Sequence, residues 1–163
     1  MGAHLTLAQE RRIRIMTFAF GQSEHKRVSV DVLSYERPVT GEHYDDNWLV
    51  VAISVLAGGF SGRARASILT DELVSFAEQL HPLCETLNGT AEFSTLEGQL
   101  LLKLLGDGRG HINLTGEVLD RAGLGNTLSF SFEFDQTLLQ RSIHELDSVI
   151  RAFPVRIEEA NKS

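Results

Sequence analysis

Two stretches of this chain, Asn47–Leu87 and His111–Phe153, follow one plan: a strand pair, a turn and an amphipathic helix. Sliding by 66 residues lays Ile68 on Phe134, Leu73 on Leu139, Ala77 on Ile143 and Leu80 on Leu146. An internal echo restricts the fold more than any single motif, because each copy must bury its apolar face against a neighbour built to the same pattern. It carries no chemistry of its own.

Periodicity supplies the elements of each copy. Arg12–Phe20 and Val28–Leu33 alternate as strands, Arg37–Tyr44 with Pro38 and Gly41 reads as a loop, and Trp48–Leu56 with Arg63–Leu69 forms a hairpin across Ala57–Gly62. The first helix starts at Thr70, expected as N-cap with Leu69 and Val74 as its hydrophobic staple, and acids follow in its first turn. Its stripe runs Leu73, Phe76, Ala77, Leu80, Leu83, Cys84, Leu87, with Gly89 as the stop. Pro82 falls on the opposite side of the wheel, so one kinked helix passes through it.

Glu92-Phe93, Gln99–Leu105, His111–Leu119 and Leu128–Phe134 are the later strands, with Gly106–Gly110 as a tight hairpin. Asp135 caps a second helix whose stripe is Leu139, Ile143, Leu146, Ile150, Phe153, ending at Pro154. The order ββββα-ββββα implies an α+β fold, antiparallel sheet or sheets with two amphipathic helices. We expect one domain over residues 1–157, with halves at about 10–89 and 90–154 and a charged tail at 158–163. The pattern leaves open whether the halves share one sheet.

The charge is unevenly spread. Of the net −7, residues 38–102 account for all, holding only Arg63 and Arg65 against nine acids. Such a surface is poorly suited to duplex DNA or anionic lipid and suits a basic protein partner. The longest uncharged stretch, Trp48–Gly62, is too short for a spanning helix, and the N-terminus lacks the charge and apolar run of a signal peptide. With a single cysteine and therefore no internal disulfide, a cytoplasmic location is expected.

No residue set announces catalysis. The six histidines show no metal-ligand spacing, so neither a metal nor a cofactor is expected. Cys84 lies on the apolar stripe and reads as structural despite His81 one turn back. Gly106–Gly110 joins two strands and lacks the lysine of a phosphate loop. The densest polar-aromatic cluster is Glu42–Trp48. His43, Asp45 and Asp46 could in principle serve a hydrolase, but a loop bearing tyrosine, tryptophan and acids has the composition of a recognition edge. The two helices show different outer faces: Asp71, Ser75, Glu78 and Glu85 on the first, Thr137, Arg141, His144, Ser148 and Arg151 on the second.

From about Asp45 to Pro154 the chain resembles the WapI-type immunity proteins of bacterial contact-dependent toxin systems. The resemblance rests on Asp46–Leu49, Ala57–Gly62, Leu105–Ile112 and Leu128–Leu138, which are strand and turn motifs. It implies a small cytoplasmic, non-enzymatic protein that binds and neutralises the toxic domain of a cognate secreted nuclease. Contacts are expected on Glu42, Asp45, Asp46, Trp48, Asp71, Glu78 and Glu85, facing a basic surface. A module holding a small-molecule ligand is the alternative.

Overall fold

The structure, a computed structural model, describes residues 15–157. The start of the expected first strand, Arg12–Arg14, and the tail at 158–163 lie outside the described residues. Two four-stranded antiparallel meanders are present. The first consists of β1 (Met16–Ser23), β2 (Lys26–Tyr35), β3 (Trp48–Ala57) and β4 (Phe60–Leu69). The second is β5 (Asn88–Ser94), β6 (Leu100–Asp107), β7 (His111–Leu119) and β8 (Thr127–Asp135). A one-turn helix α1 (His43–Asp46) interrupts the β2–β3 connection that was expected to be plain loop; α2 (Thr70–Thr86) and α3 (Gln136–Ala152) follow the sheets. The halves thus form separate sheets.

The repeat holds at 66 residues for the last strand and helix of each half and slips to 63 before them. Trp48 pairs with Leu69 across the first hairpin, His111 with Asp135 across the second. The difference lies in the turns. Gly58-Gly59 closes the first in two residues, shorter than the expected Ala57–Gly62 connection, whereas Asp120–Asn126 spans the second.

Inner faces of both sheets share one core with the apolar stripes of α2 and α3. Phe76 of α2 joins the sheets, its ring centre 5.7 Å from Phe20 and 5.0 Å from Phe93. The sheets cross steeply. Along β8, Phe132 lies against Gly21 of β1 and Leu128 against Gly62 of β4. Four residues of strand cover about 14 Å, the width of three gaps between strands, so β8 spans the first sheet from edge to edge.

Each helix packs along the first strand of the other sheet: α2 along β5, α3 along β1, and the two helices touch. This covers two edges that would otherwise present unpaired backbone groups. The Gln79 amide imitates a strand, donating to the Glu92 carbonyl (3.1 Å) and accepting from its N–H (2.9 Å). In α3 the buried Ser142 donates its hydroxyl to the Ala19 carbonyl, and Glu145, 66 residues beyond Gln79, sits against the Ala19 amide. His81 of α2 meets Asp147 of α3 at 3.1 Å.

Helix ends differ in part from expectation. Leu69, not Thr70, occupies the N-cap of α2; Glu72 accepts its N–H at 2.8 Å and also that of Leu96 at 2.6 Å. Thr70 is drawn inward, its hydroxyl donating to the Asn47 side-chain oxygen. The helix runs unbroken past Pro82 and ends on Leu87 in the left-handed conformation (φ 56°), two residues before Gly89. Asp135 caps α3 as expected, accepting from the Thr137 N–H at 2.9 Å. No helix among the described residues is long and apolar enough to cross a membrane.

Candidate functional site

Pro38 cannot extend the β2 ladder, and the chain leaves the sheet there. The loop is then wound around the carboxylate of Asp46, which accepts from the Thr40 N–H (2.6 Å), the Thr40 hydroxyl (2.7 Å) and the Gly41 N–H (2.9 Å). Asp46 is only 4% exposed. Burial pushes its pKa up, but those hydrogen bonds and the Arg156 charge outweigh that and hold it below the ordinary aspartate value. Of the seven residues expected at a contact surface, Asp46 is therefore the one turned inward.

Asn47 is wholly buried and joins three parts of the chain. Its side-chain amide donates to the carbonyls of His43 (2.7 Å) and Arg156 (2.9 Å). Its side-chain oxygen accepts from the Thr70 hydroxyl (2.8 Å) and the Arg156 N–H (2.7 Å). The first helical residue of α2 is thus tied to α1, and both to the returning end of the chain. That end is clamped in turn. The Arg156 guanidinium stands 3.4 Å from the Tyr35 ring centre and donates to the Arg37 carbonyl at 3.0 Å, while Phe153 meets Tyr35 edge-on at 5.5 Å.

What remains on the surface is an acidic corner and strip. Glu42, Tyr44 (69% exposed) and Asp45 project from the loop and α1. Asp45 lies 3.5 Å from Arg37, and Asp71 at the start of α2 lies 3.2 Å from His43. Glu78 and Glu85 are exposed further along α2, about 10 and 21 Å from Asp71 by helical rise. The strip runs between the side of α2 joined to β5 by Gln79 and the side joined to α3 by His81. Trp48 is half-buried at the start of β3, on the outward parity of the sheet.

His43, Asp45 and Asp46 take separate partners: Asp71, Arg37 and the Thr40–Gly41 backbone. They form no acid–base constellation. Cys84 is half-buried; burial, and then the Glu85 charge, push its thiol pKa up, and His81 faces Asp147 instead. Among the described residues, three of the histidines pair with aspartates, the third being His111 with Asp107 at 3.2 Å. Sequence reasoning missed Asn47, Thr70, Tyr35 and Arg156. The one available signal was that Asp46-Asn47 opens the first of the resembling runs.

Comparison with known proteins bears on this arrangement. Among curated proteins, none matches the chain. Among solved structures, a similar chain comes from work described as "The Siderocalin Ex-FABP functions through dual ligand specificities"; it is 10% identical, with 90% of this chain and 88% of that one covered at a TM-score of 0.25. The model of the immunity protein WapI-like family matches residues 18–154, a span that begins in β1 and ends just beyond α3. The chain therefore belongs to the immunity protein WapI-like family.

Proposed function

We propose that this protein is a non-enzymatic inhibitor that binds the toxic domain of a cognate nuclease toxin and covers its basic, nucleic-acid-holding face. Membership of an immunity family supports toxin neutralisation in general. The observation that carries the finer reading is the joint at Asn47, which sets the exposed acids of the Glu42–Asp45 loop beside the start of the α2 strip. An exposed tyrosine among acids on a rigid support suits capture of a basic surface, with charge steering the encounter and the aromatic side chain anchoring it. Glu42, Asp45, Asp71, Glu78 and Glu85 are the contacts, Trp48 flanks them, and Asp46 holds the loop from inside.

The test is association with the nuclease toxin domain that this proposal requires as cognate partner, sought first among neighbouring genes, measured at low and high salt. Reversing charge in D45K, D71K and E78K should slow association at least tenfold at low salt, the difference shrinking as salt screens it. The same reversal at Glu133 on β8 should change little. Unchanged rates in all three would place the contact surface elsewhere. Failure of the unmodified protein to bind that domain, or to restrain its cleavage of RNA or DNA, would overturn the reading itself.

A further inference from the structure

The outward face of the first sheet carries a feature independent of the acidic corner. In the ladder, Ser29, Ser54 and Arg63 stand in one row across β2, β3 and β4; Arg27, Leu56 and Ser61 form the next row toward the hairpin tip. The alternate residues Val28, Val55 and Ala64 point into the core, so these rows face outward. Together they wall a groove of about 500 Å³. Its floor is small because three of its side chains are serines, and its sides are arginines.

Charge at this groove runs against that of its surroundings. Residues 38–102 hold nine acids and two arginines, Arg63 and Arg65, and both are on the outward side of β4. Among the described residues, neither they nor Arg27 has a carboxylate within salt-bridge distance. The row beyond, with Asp31 on β2 and Arg65 on β4, contains its own acid, which accepts from the Thr17 hydroxyl at 2.6 Å. The rows of the groove contain none. On the far side of Arg27, Glu145 of α3 feels the Arg27 charge from beyond salt-bridge distance, but it lines a separate, smaller cavity in which Arg141 also faces it.

Strand spacing places the Cα atoms of Arg27 and Arg63 about 12 Å apart on a diagonal, a span that two arginine side chains close over one anion. A carboxylate is satisfied by a single guanidinium fork. Two forks and three hydroxyl donors match the greater charge and the several terminal oxygens of a phosphate. We propose that this groove binds a phosphate-bearing small molecule, with Arg27 and Arg63 gripping the phosphate oxygens and Ser29, Ser54 and Ser61 donating from the floor. The volume falls within the range of small-molecule sites.

The protein, labelled with ¹⁵N, is titrated with inorganic phosphate and with ribose 5-phosphate, against sodium chloride at matched ionic strength. Saturable shifts at the amides of residues 29, 54–56 and 61–63 are expected. R27Q and R63Q should each weaken binding about tenfold, with K103Q on the other sheet unchanged. Both arginines are exposed, so folding is retained. Equal affinity for the two ligands identifies a free oxyanion as the occupant, and tighter binding of the ester identifies a phosphorylated metabolite. Shifts reproduced by chloride, or surviving in the R27Q/R63Q double variant, would overturn the assignment. The D45K/E78K variant should bind phosphate normally, so this result stands apart from that of toxin capture.

Discussion

Replacing Asn47 by alanine tests whether a single buried amide holds the acidic corner together. The substitution removes four short hydrogen bonds, two donated by the side-chain amide and two accepted by its oxygen, and a longer 3.5 Å contact from the amide to the His43 ring. Thr70 is 1% exposed, and its hydroxyl would be left inside without its acceptor; an orphaned buried group of this kind costs about 1–3 kcal/mol. The bonds to His43 and Arg156 involve backbone that water can reach once the chain end loosens, so each is worth about 0.5–1 kcal/mol. The expected loss is about 4 kcal/mol, read as a lower urea midpoint at unchanged slope.

Asn47→Asp sharpens the test. It keeps the oxygen that serves Thr70 and Arg156 but turns the donating nitrogen into an oxygen facing two carbonyls. Burial and those carbonyls would raise the new carboxyl's pKa above its unfolded value, so the variant should be weak at neutral pH and regain stability as pH falls. A loss below about 1 kcal/mol for Asn47→Ala, the least that one orphaned buried group costs, would show that the amide does not hold the corner together. So would an Asn47→Asp protein as stable as the parent at neutral pH.

Other outcomes follow from the same geometry. A Cβ on Gly116 would sit 2.4 Å from the Phe130 ring; Gly116→Ala should cost about 1–3 kcal/mol in thermal or urea unfolding, with partial relief in the Phe130→Leu background. Gln79→Ala removes the side-chain mimic of a strand from β5 and should speed hydrogen exchange at the Glu92 amide, which an unchanged rate would contradict. Asp46, Asp107, Asp120 and Asp135 all have folded pKa values below the ordinary 3.8. Their contribution is present above that value and lost as pH falls through the folded values, so acid should unfold the protein there, and Asp46→Asn should flatten the slope. Cys84 should react slowly with thiol reagents in the native state, because its pKa is raised by burial and by Glu85.

Legibility in the sequence tracked the range of the interaction. The apolar stripes of α2 and α3 and the alternation of β8 were readable because burial imposes a period on neighbouring residues. Leu73, Leu80, Leu139 and Leu146, matched in the repeat, are all fully buried. The α2 N-cap was misplaced by one residue because Thr70, by composition the better cap, is engaged by Asn47 from another part of the chain. Its stop was misplaced because Leu87 adopts the left-handed conformation while its carbonyl accepts from Gly108 of the β6–β7 hairpin at 2.8 Å. At the candidate site, Glu42, Asp45, Asp71, Glu78 and Glu85 are exposed. Asp46 was not distinguishable from Asp45 beside it, since its burial depends on how Thr40 and Gly41 fold around it.

By itself, then, the sequence determined the order of the strands and the two long helices, the two-helix repeat and the concentration of acid in the middle of the chain. Each of these depends on residues close together, where hydrophobic periodicity and charge counts carry the information. Tertiary structure alone decided that the halves form two crossed sheets, that each helix shields the opposite sheet's edge, and that Arg156 returns to meet Asp46 and Asn47. It also gathered Arg27 and Arg63 into one groove. These results come from long-range pairing, in which hydrogen bonds join residues separated by most of the chain and no local pattern records the partner.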